Sequence, residues 1–174
     1  MAGSAEHVLT ATPTGFGNPQ FFEGYGSTAS DSPVRRALSE PMQCVLQFHQ
    51  AFGLPGAASP RLAAVPAELA ELRIDLLIEE VQEFADAARC GDIVALADAL
   101  ADIVYVTYGA ALTYGIDLDA VLREIHRSNM SKLGPDGRPV LRADGKVLKP
   151  VTYRPPNVKA VLAVQLPLPF EDAF

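Results

Sequence analysis

The sequence predicts an all-α protein: an antiparallel four-helix bundle, expected as a dimer, with a flexible N-terminal tail and a short irregular C-terminal arm. Three observations predict it. Ser39, Asp92 and Asp117 stand as N-caps before apolar-periodic runs, and Gly53, Gly91 and Gly115 stand at the ends of such runs as stops. The loops between successive runs are short, which makes neighbouring helices antiparallel. Apolar residues make up 49% of the 174, enough for a packed core.

The elements follow in order. Residues 1–38 are rich in Gly, Ser, Thr, Ala and Pro without sustained periodicity, and read as a flexible tail. A first helix starts at Ser39 with Pro41 in its first turn and stops at Gly53. Val45, Leu46, Phe48, His49 and Phe52 crowd one of its sides. After a loop with Pro55, Gly56 and Pro60, a second helix runs from Pro66 to Arg89, with an apolar stripe of Leu69, Leu72, Leu76, Val81 and Phe84. The third, from Asp92 to Gly115, is apolar almost all round, so burial between two subunits is expected. The fourth runs from Asp117 to about Ser131 and completes the helical domain, 39–131.

The remainder changes character. Asp136-Gly137 and Asp144-Gly145 are turn dipeptides around a short segment, 138–142, which suggests a small irregular hairpin within a basic arm, 132–158. Pro155 and Pro156 precede an apolar stretch, 158–164, and the tail, 159–174, contains QLPLPF.

Charge narrows the function. A net charge of −7 argues against direct nucleic-acid binding, which needs a basic surface. The charge is also divided: residues 68–102 hold ten of the 21 acids, and residues 123–159 hold nine of the 14 bases. Cys44 and Cys90 match no zinc spacing and read as small apolar residues on helices in a reducing cytoplasm. The N-terminus lacks a signal-peptide pattern. The uncharged run 103–116 is short and mixed with Thr, Tyr and Gly, so a soluble helix is expected there rather than a membrane span.

Five carboxylates stand in helical register: Glu79, Glu80 and Glu83 in LLIEEVQEF, then Asp98 and Asp102 in LADALADIVYV. Positions 79 and 83, 80 and 83, and 98 and 102 each lie about one turn apart, so both sets can face the same seam. Like charges at this spacing repel by roughly 0.2–0.5 kcal/mol per exposed pair, and a hard divalent cation removes that penalty. Glu68, Glu71 and Asp75 read as a solvated face instead. Asp98 and Asp102 have no basic residue on their own helix to pair with. A di-iron bundle is excluded by spacing, because no helical glutamate has a histidine three residues on.

EEVQEF, then LADIVYVTYGAALTYGIDLDAVLREIHRSNMSK, then DGKVLKPVTYRPP resemble the MazG-like all-α nucleoside triphosphate pyrophosphohydrolases, a superfamily that includes dimeric dUTPases and phosphoribosyl-ATP pyrophosphohydrolases. The resemblance covers about residues 42–158. It implies a helical homodimer, or a dimer of dimers, that splits a nucleoside triphosphate into monophosphate and diphosphate. It also implies Mg²⁺, with Mn²⁺ as a substitute and two ions per site. The implied ligands are Glu79, Glu80, Glu83 and Asp102, with Glu79 or Glu80 also activating the attacking water. One position departs: the glutamate expected three residues before Asp102 is Ala99. Asp98 lies about 40° from Asp102 around the helix, against about 60° on the other side for position 99, and is the candidate replacement.

The basic segment HRSNMSK and the residues after it suit the outer oxygens of a triphosphate. Asn129, Lys132, Lys146, Lys149 and Arg154 are the substrate-binding candidates, with Tyr153 beside them. His49, on the first helix with Gln43, Gln47 and Gln50, is the candidate at the base. Arg123, Arg127, Arg138 and Arg142 read as surface. These residues do not choose between dUTP, dGTP and a broader set of deoxynucleotides. A weakened nucleotide-binding protein is the non-enzyme alternative, on the strength of Ala99. Gln165, Leu166, Leu168 and Phe170 resemble the short peptide by which bacterial replication proteins dock on the DNA sliding clamp, which adds that clamp as an expected partner.

Overall fold

Each helix begins and ends where local chemistry permits it. In a computed structural model of the chain, residues 37–61 and 64–170 are described, and the N-terminal tail lies almost wholly outside them. α1, Glu40–Ala51, is capped by Ser39, whose hydroxyl accepts from the Met42 amide. α2, Ala67–Cys90, follows Pro66 and stops at Gly91, whose φ of 72° is one that L side chains rarely adopt. α3, Ile93–Thr113, is capped by Asp92, which accepts from the amides of Val94 and Ala95 at 3.0 and 3.1 Å. α4, Leu118–Met130, is capped by Asp117 in the same way.

A fifth helix, α5, Val158–Ala163, forms in the arm expected to be irregular, with Asn157 accepting from the Ala160 amide. Between α4 and α5 the two Asp-Gly turns close isolated antiparallel bridges, Leu133 to Pro139 and Leu141 to Val147. The described residues form no named strand. All-α holds.

The packing differs from four helices side by side. α2 and α3 form a long antiparallel hairpin, α1 packs on α3, and α4 has α5 as its main helical partner. The core therefore lies where α1 meets the C-terminal half of α3. Met42, Val45, Leu46, Tyr108 and Leu112 form it, and Leu168 of the C-terminal arm closes it. Full burial of a side chain such as Leu112 stabilises by roughly 1.5–3 kcal/mol. Asp119 ties three elements to this core: its carboxylate accepts from the Ser39 amide at 2.7 Å, the Ser39 hydroxyl at 2.8 Å and the Tyr108 hydroxyl at 2.9 Å.

The hairpin leaves much of its apolar surface uncovered within one chain. Leu72 and Val81, expected in the α2 stripe, are about half exposed, as are Ile74, Ile78 and Val104. The buried residues of α2 are Arg73 and Ala87 instead. By length and composition α3 meets the criteria for a membrane-crossing helix, yet it carries Asp98 and Asp102 and packs along α2. Cys44 and Cys90 are exposed and free rather than part of the core.

The tail with QLPLPF is not loose. Gln165 accepts from the Asp117 amide at 2.8 Å and donates to the Gly115 carbonyl at 2.7 Å. The Leu168 amide donates to the Ala58 carbonyl at 2.7 Å, and the Gln50 amide group donates to the Pro169 carbonyl at 3.2 Å. Phe170 lies so close over Gly56 that a Cβ there would stand 2.5 Å from its ring. Three of the four clamp-like side chains are thus engaged with the protein's own core or helix ends; only Leu166 is exposed, at 38%.

Candidate functional site

Both helices of the hairpin contribute acids to one seam. Glu79, Glu83, Asp98 and Asp102 are exposed and Glu80 is half-buried. Burial raises the Glu80 carboxyl above its ordinary range, and the charges of Asp102, Glu83, Glu79 and Asp98 raise it further, in that order. The other four predicted carboxylates, two on the same helix and two on the facing one, therefore all act on Glu80. Among the described residues none of the five forms an ion pair or side-chain hydrogen bond; the recorded ion pairs are Arg89–Asp86, Arg127–Glu124 and Arg142–Asp144.

No group of three or more His, Cys, Asp or Glu among the described residues is drawn close enough to form a ready cation cage. The donor set nevertheless fits Mg²⁺. It is all oxygen, comes from two helices and has no competing base, and Mg²⁺ keeps several waters and shares its shell with substrate phosphates rather than demanding an all-protein cage.

Ala99 and Asp98 divide as their helix positions require. Ala99 is 2% exposed, inside the hairpin seam, while Asp98 is on the surface. Asp98 lines a shallow cavity of about 370 Å³ near the hairpin turn, together with Glu83, Asp86 and Asp92. It is also the weakest of the four charges acting on Glu80. Its carboxylate thus belongs partly to the seam and partly to the turn.

The basic candidates gather elsewhere. At the end of α4 the Lys132 ammonium donates to the Asn129 side chain at 2.8 Å, so these two are brought together. Lys149 sits over the Tyr153 ring at 4.8 Å. Arg154 is fixed by its backbone, which exchanges hydrogen bonds with the Ser131 hydroxyl. Lys146 enters the second Asp-Gly turn, its amide donating to Asp144. Among the described residues no ion pair joins this basic group to the acids of α2. Arg127 and Arg142 are paired to Glu124 and Asp144, and the Glu124 carboxyl is pushed down to about 2, chiefly by Arg127 and then by the Asn157 amide.

His49 is 2% exposed rather than at a surface, and it has a neighbour that the apolar periodicity of α2 hides. Arg73, 7% exposed, reaches the same place: a Cβ on Gly109 would stand 3.1 Å from His49 Nε2 and 3.5 Å from an Arg73 guanidinium nitrogen. Burial, and then the charge of Arg73, lower the imidazole to about 4, partly opposed by the Pro55 carbonyl. His49 Nδ1 and Arg73 Nε have no hydrogen-bond partner. The sequence signal for Arg73 was its position two helical turns before Glu80, on the same side of α2.

A family profile described as phosphoribosyl-ATP pyrophosphohydrolase matches residues 45–129. The matched segment contains His49, all five carboxylates and Asn129, and stops before Lys132. An uncharacterized protein, L479, of Acanthamoeba polyphaga mimivirus is 31% identical over 111 residues, which cover 63% of this chain and 42% of that relative. The chain thus spans about two fifths of the length of the viral protein it matches.

Proposed function

We propose that this chain, which belongs through residues 45–129 to the phosphoribosyl-ATP pyrophosphohydrolase family of MazG-like all-α nucleoside triphosphate pyrophosphohydrolases, hydrolyses a deoxynucleoside triphosphate to monophosphate and diphosphate. The observation that carries this reading is the half-buried Glu80, raised by four other carboxylates with no cationic side chain beside it. Such repulsion is sustained where a ligand of opposite charge relieves it. Glu79, Glu80, Glu83 and Asp102 would hold Mg²⁺ or Mn²⁺, with Asp98 at the margin. Bound there, the ions would neutralise phosphate charge and lower the pKa of a coordinated water.

The chain's own residues supply the rest. Glu79 or Glu80 accepts the proton of the attacking water, whose oxygen bonds to the α-phosphorus. The bond from that phosphorus to the α–β bridging oxygen breaks, and diphosphate leaves with the electron pair. Asn129, Lys132, Lys146, Lys149 and Arg154 steady the outer oxygens. In this reading a second copy brings those groups to the acids, by packing hairpin on hairpin into a four-helix bundle across the exposed apolar face of α2 and α3. The enzyme would act in the cytoplasm on the deoxynucleotide pool.

Ala99 supports a second reading, a nucleotide-binding protein with weakened catalysis, since a buried alanine leaves one expected carboxylate out. Sliding-clamp docking would need the C-terminal arm to release Gln165, Leu168 and Phe170, and a pull-down by the clamp that is unchanged on deleting 165–174 removes that idea. The test of the main proposal is a panel of dUTP, dGTP, other NTPs and phosphoribosyl-ATP with Mg²⁺, scored for diphosphate against orthophosphate. Diphosphate with the matching monophosphate is the expected product; orthophosphate, or no product from any of them, refutes the proposal.

A further inference from the structure

Arg73 is a buried cation without an anion. Its guanidinium is donor-only, a fork of five N–H groups, and Nε among them has no acceptor. Buried polar groups are nearly always satisfied in native proteins, and an unpaired buried charge costs far more than an unpaired neutral group. Among the described residues no carboxylate pairs with it. Gly109 is what admits it: the missing side chain leaves room for both His49 and Arg73 over the same Cα of α3.

The place of Arg73 within the hairpin limits what can satisfy it. Arg73 and Glu80 lie on the same side of α2, about 10 Å apart along the axis at 1.5 Å per residue. With the phosphates on the carboxylates, that separation is on the scale of a nucleoside, so the group reaching Arg73 is the base rather than a second phosphate. The surroundings agree. His49 is uncharged at neutral pH, and the Phe170 ring stands edge-on to it with centroids 6.3 Å apart. That is an aromatic wall suited to a planar ligand. The cover on that side is the C-terminal arm, whose Leu168 amide donates to the Ala58 carbonyl and whose Pro169 carbonyl accepts from Gln50.

From the unpaired guanidinium, its companion His49 and their spacing from Glu80, we infer that Arg73 is the base-reading residue and selects a 6-oxopurine, whose O6 and N7 are two adjacent acceptors for the guanidinium fork. Guanine and hypoxanthine present that edge. Adenine offers a donor at N6 in place of one acceptor, and uracil has no N7. This inference rests on the pyrophosphohydrolase reading for the placement of the phosphates, but it is tested without hydrolysis.

The experiment is equilibrium binding of dGMP, 7-deaza-dGMP, dAMP, dUMP and inorganic diphosphate to the full chain and to Arg73→Met, by titration calorimetry. Met keeps length and apolar bulk, and removing an uncompensated buried charge should leave Tm unchanged or raised, which shows that the variant folds. The wild type is expected to prefer dGMP over 7-deaza-dGMP and dAMP by roughly tenfold or more, the scale of one hydrogen bond to a charged group. Arg73→Met should bring the three within about twofold while leaving diphosphate binding unchanged. Equal binding of dGMP and dAMP by the wild type, no binding of any nucleotide, a preference that survives in Arg73→Met, or loss of diphosphate binding in that variant each overturns the inference. If dGMP is selected through Arg73 yet dGTP yields no diphosphate, the inference stands and the hydrolase reading falls. Diphosphate release without oxopurine preference gives the reverse.

Discussion

Glu80 on α2 and Asp102 on α3 repel across the hairpin: after burial itself, the Asp102 charge does most to hold the Glu80 carboxyl above its ordinary range. Two carboxylates on facing helices, with Glu79, Glu83 and Asp98 around them, make the hairpin an anionic surface whose repulsion is a stored cost. The cost has a sign that can be measured.

A carboxyl raised on folding stabilises the folded state fully only below its unfolded pKa, and that contribution is lost as pH rises through the raised value. The metal-free protein should therefore gain from Glu80→Gln at neutral pH. The expected gain is on the order of a few tenths of a kcal/mol, about 1 °C in Tm, and it should vanish at acid pH. Thermal melts in chelator from pH 3 to 8 measure it, and equal Tm values at pH 8 would deny the repulsion.

His49 gives the opposite slope. Its imidazole is lowered to about 4, so the folded protein stays neutral there while the unfolded chain binds a proton below its ordinary value of 6.5. Stability should fall by roughly 2–3 kcal/mol as pH drops from 6.5 to 4 and then level. Urea unfolding of wild type and His49→Gln across that window is the check, with a flatter acid limb expected in the variant.

Asp98 and Ala99 can be separated by mutation. Asp102→Asn should lower kcat/KM by tenfold or more, whereas Asp98→Asn should cost severalfold less, because Asp98 acts least on Glu80 and sits beside the turn. Ala99→Glu places a carboxylate in a position that is 2% exposed, so it should raise the apparent Mg²⁺ affinity while lowering metal-free stability. A kinetic survey of the three variants against Mg²⁺ concentration decides the ranking.

The C-terminal arm should behave as part of the core. Leu168→Ala is expected to destabilise by roughly 2–4 kcal/mol, since Leu168 is 5% exposed and closes the α1–α3 cluster. Gly56→Ala should also destabilise, because its Cβ would meet the Phe170 ring. Chemical denaturation shows whether the arm melts with the domain, and a wild-type midpoint after deletion of 165–174 would mean that it is dispensable.

Much of this was legible in the sequence because caps and stops act locally. Ser39, Asp92 and Asp117 begin helices and Gly91 ends one where their side-chain chemistry says they should. The register of Glu79, Glu80, Glu83, Asp98 and Asp102 is also a local property, readable from spacing. Tertiary choices were less legible. Periodicity alone could not show that Arg73, not Leu72 or Val81, faces inward, because that depends on Gly109 of another helix. QLPLPF read as an extended tail, whereas Leu168 and Phe170 found apolar cover on α1, α3 and the loop before α2. Asn157 at the N-cap of α5 is a local signal, but the six-residue helix it starts is too short for periodicity to reveal.

Most direct for the central claim is a side-by-side assay of wild type and Glu80→Gln with Mg²⁺ and the best deoxynucleoside triphosphate, following diphosphate and monophosphate. The wild type is expected to release the two in equal amounts, with activity abolished by chelator and restored by Mg²⁺ or Mn²⁺, and Glu80→Gln to lose roughly 10²–10³ in kcat. A loss smaller than tenfold, or activity indifferent to chelator, would contradict that claim.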